Sequence, residues 1–214
     1  MKKWIAILGA GGQAREVEWL IRKSTDYRFI GYIVGDLTKK GEHDCSDRVL
    51  GDESWLESNH VDCLTIGIGT PSVRLEIANR LETRFPKINW PALVHPTASL
   101  DDSSCTLGPG VLVCAGVVST VNIDFGAFSL INFGVTIGHE ARIGRGCVIN
   151  PGANISGGVV LGDGVLVGTG AQVLQYVKVG AGAKIGAGAV VLRDVEAGTT
   201  VVGVPAKEVK KPSQ

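Results

Sequence analysis

The chain has 214 residues, with 21 Lys and Arg balancing 21 Asp and Glu. That length holds one large domain or two modest ones. The balanced charge, with no Lys/Arg cluster interleaved with aromatics, argues against a nucleic-acid partner, and no stretch approaches the ~18 uninterrupted apolar residues of a membrane span. Cys45, Cys63, Cys105, Cys114 and Cys147 are odd in number and form no C-x-x-C pair, so they read as reduced thiols of a cytoplasmic protein.

Met1, Lys2 and Lys3 precede a short apolar run that passes directly into Gly11 and Gly12. The run is too short for a signal peptide, and residues 4–8 read as a first buried strand. Gly9-Ala10-Gly11-Gly12-Gln13-Ala14 follows, and residues 14–23 then have the spacing of an amphipathic helix. Residues 28–34 form a second strand ending at Gly35-Asp36, and residues 62–68 a third ending at Gly69-Thr70. Pro71 and Ser72 open a helix over 73–84, with Val73, Ile77 and Leu81 on one face and Arg74, Glu82 and Arg84 mostly on the other. A last strand over 90–94 leads to His95-Pro96.

Strands alternating with helices predict a Rossmann-like α/β domain over residues 1–94. Gly9-x-Gly11-x-x-Ala14 fits the dinucleotide fingerprint, where bare N–H groups and a helix N-terminus receive phosphates. A tight structural turn fits the same residues. So short a domain suits one nucleotide-like ligand better than a complete dinucleotide.

From Leu107 to Val191 every sixth residue is apolar except Ser119. A second column, four residues further on, runs from Val111 to Val195 and is almost wholly small or β-branched. Glycine often follows the first column, as at Gly126, Gly138, Gly144 and Gly162. A period of six fits neither a helix nor an alternating strand; it suits a chain that turns a corner every six residues. Three hexads make one triangular coil of a parallel β-helix, each coil adding ~4.8 Å. Residues 95–214 are therefore expected to form an all-β helix with a C-terminal tail.

Of His43, His60, His95 and His139, only His139 lies inside this solenoid, at a corner two residues after inward Ile137 and just before Glu140. Acyl transfer from a thioester needs a base, and imidazole titrates in the right range. A neighbouring carboxylate would hold the ring in one tautomer. A polar surface corner is the plain alternative on the residues alone. A zinc site needs about three histidine ligands, so no metal is expected.

The [LIV]-G-x-x-[small]-x repeat resembles the left-handed β-helix of the hexapeptide-repeat acyltransferases, and the handedness is implied by that resemblance. With the glycine turns, nearly the entire chain resembles the bacterial nucleotide-sugar acetyltransferases of the sialic acid O-acetyltransferase and bacillosamine-pathway type. That resemblance implies that Gly11, Gly12, Gln13, Gly35, Asp36 and Gly69 hold the nucleotide-sugar. Gln13 stands where the family commonly has His, and its amide hydrogen-bonds without titrating. The segment from Leu130 to Glu140 resembles the family's I-N-x-G-x-x-I-x-H-[DE] stretch. It implies His139 as general base, Glu140 as its partner and Asn132 as a substrate contact.

Acetyl-CoA is likewise implied to lie between neighbouring subunits of a homotrimer, along Gly157, Thr169 and Ala187. The ending Val202-Gly203-Val204-Pro205-Ala206 is also typical of the family. Lys207, Lys210 and Lys211 after it would either meet CoA phosphates or form a solvated tail. The expected reaction is acetylation of the amine of a UDP- or dTDP-linked 4-amino-sugar for bacterial surface glycan or glycoprotein synthesis. Acetylation of a sugar hydroxyl, as on sialic acid, stays open. An NAD-dependent oxidoreductase would leave the solenoid without a task, and a non-catalytic scaffold would leave the nucleotide-type domain without one.

Overall fold

The computed structural model of the chain describes residues 1–38 and 46–209; His43, Cys45, Lys210 and Lys211 lie outside the described residues. The first half runs β1 (Lys3–Leu8), α1 (Gly12–Arg22), β2 (Tyr27–Val34), β3 (Val49–Asp52), α2 (Trp55–Ser58), β4 (Cys63–Ile66) and α3 (Pro71–Arg84). The four strands pair in parallel in the order β3-β2-β1-β4. Central β1 buries Ile5, Ala6 and Ile7 completely, as a strand covered on both faces must. β3 is an addition to the elements expected from sequence. Its four residues include Gly51 and Asp52, so it carries no alternation to read.

α1 turns Ala14, Val17, Leu20 and Ile21 into the core, and with them Glu18. The Glu18 carboxylate accepts hydrogen bonds from Tyr32 Oη at 2.5 Å and from both terminal nitrogens of Arg48 at 2.7 and 2.8 Å. Burial pushes its pKa up, but the Arg48 and Tyr32 bonds outweigh that and hold it below the ordinary value. In α3, Ile77 and Leu81 are buried as their spacing requires. Two neighbours reverse the expected faces: Val73 is exposed and Arg74 is completely buried.

The solenoid begins earlier than the hexads do. Leu93–Val94 pairs with Leu112–Val113 and so belongs to the β-helix, not to the α/β sheet; Ser99 bridges to Val118 one face further on. That first coil is irregular in length, which hides it from a strict period of six. Beyond it the chain builds three sheets of parallel strands that recur every eighteen residues as far as Val191; the last coil is shorter, pairing Lys184 with Thr200, and Lys207–Glu208 adds an antiparallel strand. Face one carries Leu112–Val113, Leu130–Ile131 and Val148–Ile149, face two Val118–Ser119, Thr136–Ile137 and Asn154–Ile155, and face three Asp124–Phe125, Arg142–Ile143 and Val160–Leu161. The inward column from Val113 to Val191 is buried, including Ser119, whose hydroxyl has no partner among the described residues.

Three corners join these faces. The first (residues 132–135 in one coil) links faces one and two, the second (138–141) faces two and three, and the third (144–147) faces three and one. The α/β half covers face one, where Leu112, Leu130 and Val148 pack with Val17, Leu20 and Ile21 of α1. At the first corner Trp19 of α1 stacks on His95 with ring centroids 4.8 Å apart and meets Phe133 at 6.1 Å. At the third, Arg145 bonds Glu82 of α3 at 2.5 Å and Asn79 at 3.0 Å. The second corner faces away from the α/β half. That placement governs how a site can be assembled.

Candidate active site

His139 and Glu140 occupy the second corner. Glu140 takes a left-handed backbone conformation, φ +55°, a region where side chains other than Gly, Asn and Asp are uncommon. The turn brings its carboxylate back onto His139 Nδ1, and Asn122 Nδ2, one coil earlier, donates to the other oxygen at 3.3 Å. The bonds from His139 first and Asn122 second hold the Glu140 carboxyl below its ordinary pKa. A carboxylate fixed on Nδ1 selects the tautomer with its proton there, and Nε2 keeps a lone pair. Both side chains are about half exposed (54% and 56%), open enough for an acceptor group to reach them.

One coil on, the imidazole edge rests on Gly157. A Cβ built there would lie 2.6 Å from both Cε1 and Nε2 of the ring, so only glycine leaves the space. The neighbouring Gly158 donates its N–H to the His139 carbonyl at 2.7 Å, whereas the Gly157 N–H has no acceptor among the described residues. Tyr176, with φ +62°, lays its ring on Gly158 as His139 does on Gly157. The corner thus presents a base and a free backbone donor side by side. Asn122, Gly158 and Tyr176 escape sequence reasoning: they stand eighteen and thirty-six residues from Glu140, a spacing with meaning only once three hexads are known to close one coil.

Asn132, Thr169 and Ala187 fall on the first corner instead. Asn132 is buried, and its Oδ1 accepts the Phe133 N–H at 3.1 Å. Thr169 and Ala187 sit on successive coils, tied by Gly188 N–H to Thr169 carbonyl at 2.8 Å. Within one chain, therefore, these three residues do not come together with His139, Glu140 and Gly157.

The α/β half gathers the remaining expected residues at the carboxyl ends of its strands. Gly11 is the N-cap of α1 and Gly12 opens the helix. Gly35 and Asp36 line a cleft of about 280 Å³ together with Gly9, Ala10, Glu53 and Arg80. Gly69 sits beside Gln13, whose Oε1 would be 3.6 Å from a Cβ at position 69. The Gln13 Nε2 is buried without a well-formed hydrogen bond; Glu16 approaches it from the next turn without good geometry. Glu53 and Arg80 join the cleft from outside the motifs, as an ion pair with N···O 2.6 Å. The start of α1 borders the first corner: Cys114 there has its thiol pushed up to about 12 by burial, with Glu16 of α1 adding to the rise. Among the described residues no group of three or more His, Cys, Asp and Glu is placed to hold a metal ion, and no described helix is long and apolar enough to cross a membrane.

A hexad solenoid with a His–Glu pair on a corner, docked to a glycine-turn α/β domain, defines an acyltransferase of the hexapeptide class. Comparison with known proteins agrees in both halves. Residues 4–81 match the PglD N-terminal domain and residues 158–193 the bacterial transferase hexapeptide (six repeats). Among solved structures, PerB from Caulobacter crescentus, in complex with CoA and GDP-perosamine, is 30% identical with a TM-score of 0.85. The match covers 96% of this chain and 97% of that one. The acetyltransferase domain of PglB from Neisseria gonorrhoeae is 28% identical, TM-score 0.86, over 97% and 100% of the two chains. WeeI from Acinetobacter baumannii is 28% identical, TM-score 0.82, over 96% and 99%. Comparison with curated proteins gives no match. The chain belongs to the hexapeptide-repeat sugar N-acetyltransferases of the bacillosamine-pathway family, and its solenoid is a left-handed β-helix.

Proposed function

We propose that the chain transfers the acetyl group of acetyl-CoA to the amine of a nucleotide-linked amino-sugar, with His139 as general base. One observation carries this reading: the His139–Glu140 pair lies against Gly157, a residue whose own N–H is unbonded among the described residues. The Nε2 lone pair takes a proton from the amine as its nitrogen attacks the thioester carbonyl. Negative charge builds on the carbonyl oxygen, and the Gly157 N–H receives it. The tetrahedral intermediate then collapses; the carbon–sulfur bond breaks and the thiolate recovers the proton from the imidazolium. The attack is direct, so no acyl-enzyme forms.

The nucleotide-sugar is held by the α/β half. The N-terminus of α1 at Gly11 and Gly12 faces the diphosphate, and the spare Gln13 amide donates beside Gly69. Gly35 and Asp36 wall the cleft that takes the nucleoside. CoA and GDP-perosamine bound to PerB support both ligand classes. The enzyme acts in the cytoplasm on precursors of surface glycan or glycoprotein.

The working unit is a homotrimer. The cradle and Asn132 lie on one side of the coil and His139 at the opposite corner, so a sugar held by one chain meets the base of its neighbour. Thr169 and Ala187 of the first chain and Gly157 of the second then line one groove for acetyl-CoA. The test is thiol release from acetyl-CoA with UDP-, dTDP- and GDP-linked 4-amino-sugars, with free sialic acid alongside. Rapid release with one amino-sugar supports the reading and identifies the nucleotide. Release with sialic acid alone overturns it in favour of O-acetylation.

A further inference from the structure

Arg74 stands on the outward face of α3 by spacing, yet it is wholly buried. Its Nε donates to the Phe128 carbonyl at 2.9 Å, and its Nη1 to the carbonyls of Ile66 at 2.9 Å and Ile68 at 2.8 Å. Nη2 is buried with no partner among the described residues. No carboxylate is among these partners. Burial lowers the guanidinium pKa to about 10, which still leaves it charged at neutral pH.

Taking a cation out of water without a counter-ion is costly, and carbonyl dipoles offset only part of that cost. A methionine would fill much of the same volume without it. The retained charge therefore asks for a use, and its surroundings supply one. Ile66 ends β4, and Ile68 both precedes Gly69 and lines the cleft containing Gly35 and Asp36. Phe128 lies on the solenoid, four residues before Asn132. The fork thus clamps the turn of the nucleotide cradle to the coil that leads into the first corner.

We propose that Arg74 is a positioning residue for the nucleotide-sugar: it sets the turn at residues 66–69 against the solenoid and places a fixed positive charge beneath it, where the ligand's diphosphate arrives. This rests on the nucleotide-sugar reading above. In an interior screened far less than water, such a charge acts across the turn without touching the ligand.

The test compares Arg74→Met and Arg74→Lys with the parent chain. Affinities for UDP, dTDP, GDP and the matching nucleosides come from calorimetry, and both Michaelis constants come from thiol release. Arg74→Met should weaken the preferred diphosphate about tenfold or more, weaken its nucleoside much less, and leave the KM for acetyl-CoA within about twofold. Arg74→Lys restores the charge but not the fork, so it should recover part of the diphosphate affinity. Equal losses for nucleoside and diphosphate, with no recovery in Arg74→Lys, would overturn the proposal and leave a structural clamp. If Arg74→Met does not fold, Arg74→Lys decides: a rise confined to the nucleotide-sugar KM supports the proposal, and an equal rise in both constants overturns it. A parent chain that binds no nucleoside diphosphate removes the functional reading itself, and this inference with it.

Discussion

The proposed role of His139 as base rests on each ring nitrogen having one available task. Nδ1 is committed to Glu140, whose carboxylate stays ionised below its usual range through bonds from His139 and Asn122. Nε2 is left for the substrate. Replacing His139 by Ala should lower kcat by about 10²- to 10⁴-fold, with acetyl-CoA affinity and Tm unchanged; retained turnover would remove His139 from the role. Gly157 offers a finer test. A methyl group there would stand 2.6 Å from the imidazole, and the ring, half exposed, must swing away. Gly157→Ala should therefore cost about 10² in kcat through misplacement of the base while stability holds. Unchanged kcat would mean that the ring does not work from the position it occupies here.

The elements show why some of this was legible in the sequence and some was not. An inward residue every six positions is a demand of the triangular coil, so the solenoid was readable from Leu107 onward. Its first coil was not, because Leu93 and Ser99 pair with the next coil at irregular spacing. Helical periodicity puts Arg74 on the wrong face of α3 because it assumes that a polar residue faces water; here a solenoid corner and three carbonyl groups cover it. Glu18 on α1 is a similar case, a carboxylate placed inward to meet a partner thirty residues ahead. Glu18→Gln should destabilise the fold by about 1–3 kcal/mol near pH 7, read as a lower Tm. Because the folded-state pKa of Glu18 lies below its unfolded value, its contribution is complete above about pH 4.3 and is lost as pH falls through the folded value. The gap between parent and variant should accordingly narrow in acid. A constant gap from pH 7 to pH 3 would assign the loss to packing instead of charge.

At the scale of the whole molecule, the docking of the α/β half decides which of the expected site residues come together. By covering face one from the first corner to the third, it brings the proposed nucleotide cradle to Asn132 and leaves His139 on the corner facing away. In the proposed homotrimer such a chain has its base out of reach of its own substrate, and the three-fold ring sets each base beside its neighbour's cradle. The arrangement makes a prediction that no single-chain site shares. His139→Ala removes the base from one corner, and Ala187→Trp fills the proposed groove at the other; each alone should be inactive. Co-expressed in equal amounts, the two variants should form mixed trimers in which a site works when an intact second corner meets an intact first corner. Random assembly gives each interface that pairing in about one case in four, so about a quarter of parental activity should return. Sites contained within one chain would return none, because every chain carries one lesion. Thiol release by the purified mixture, set against the two variants mixed only after separate assembly, distinguishes the two arrangements directly.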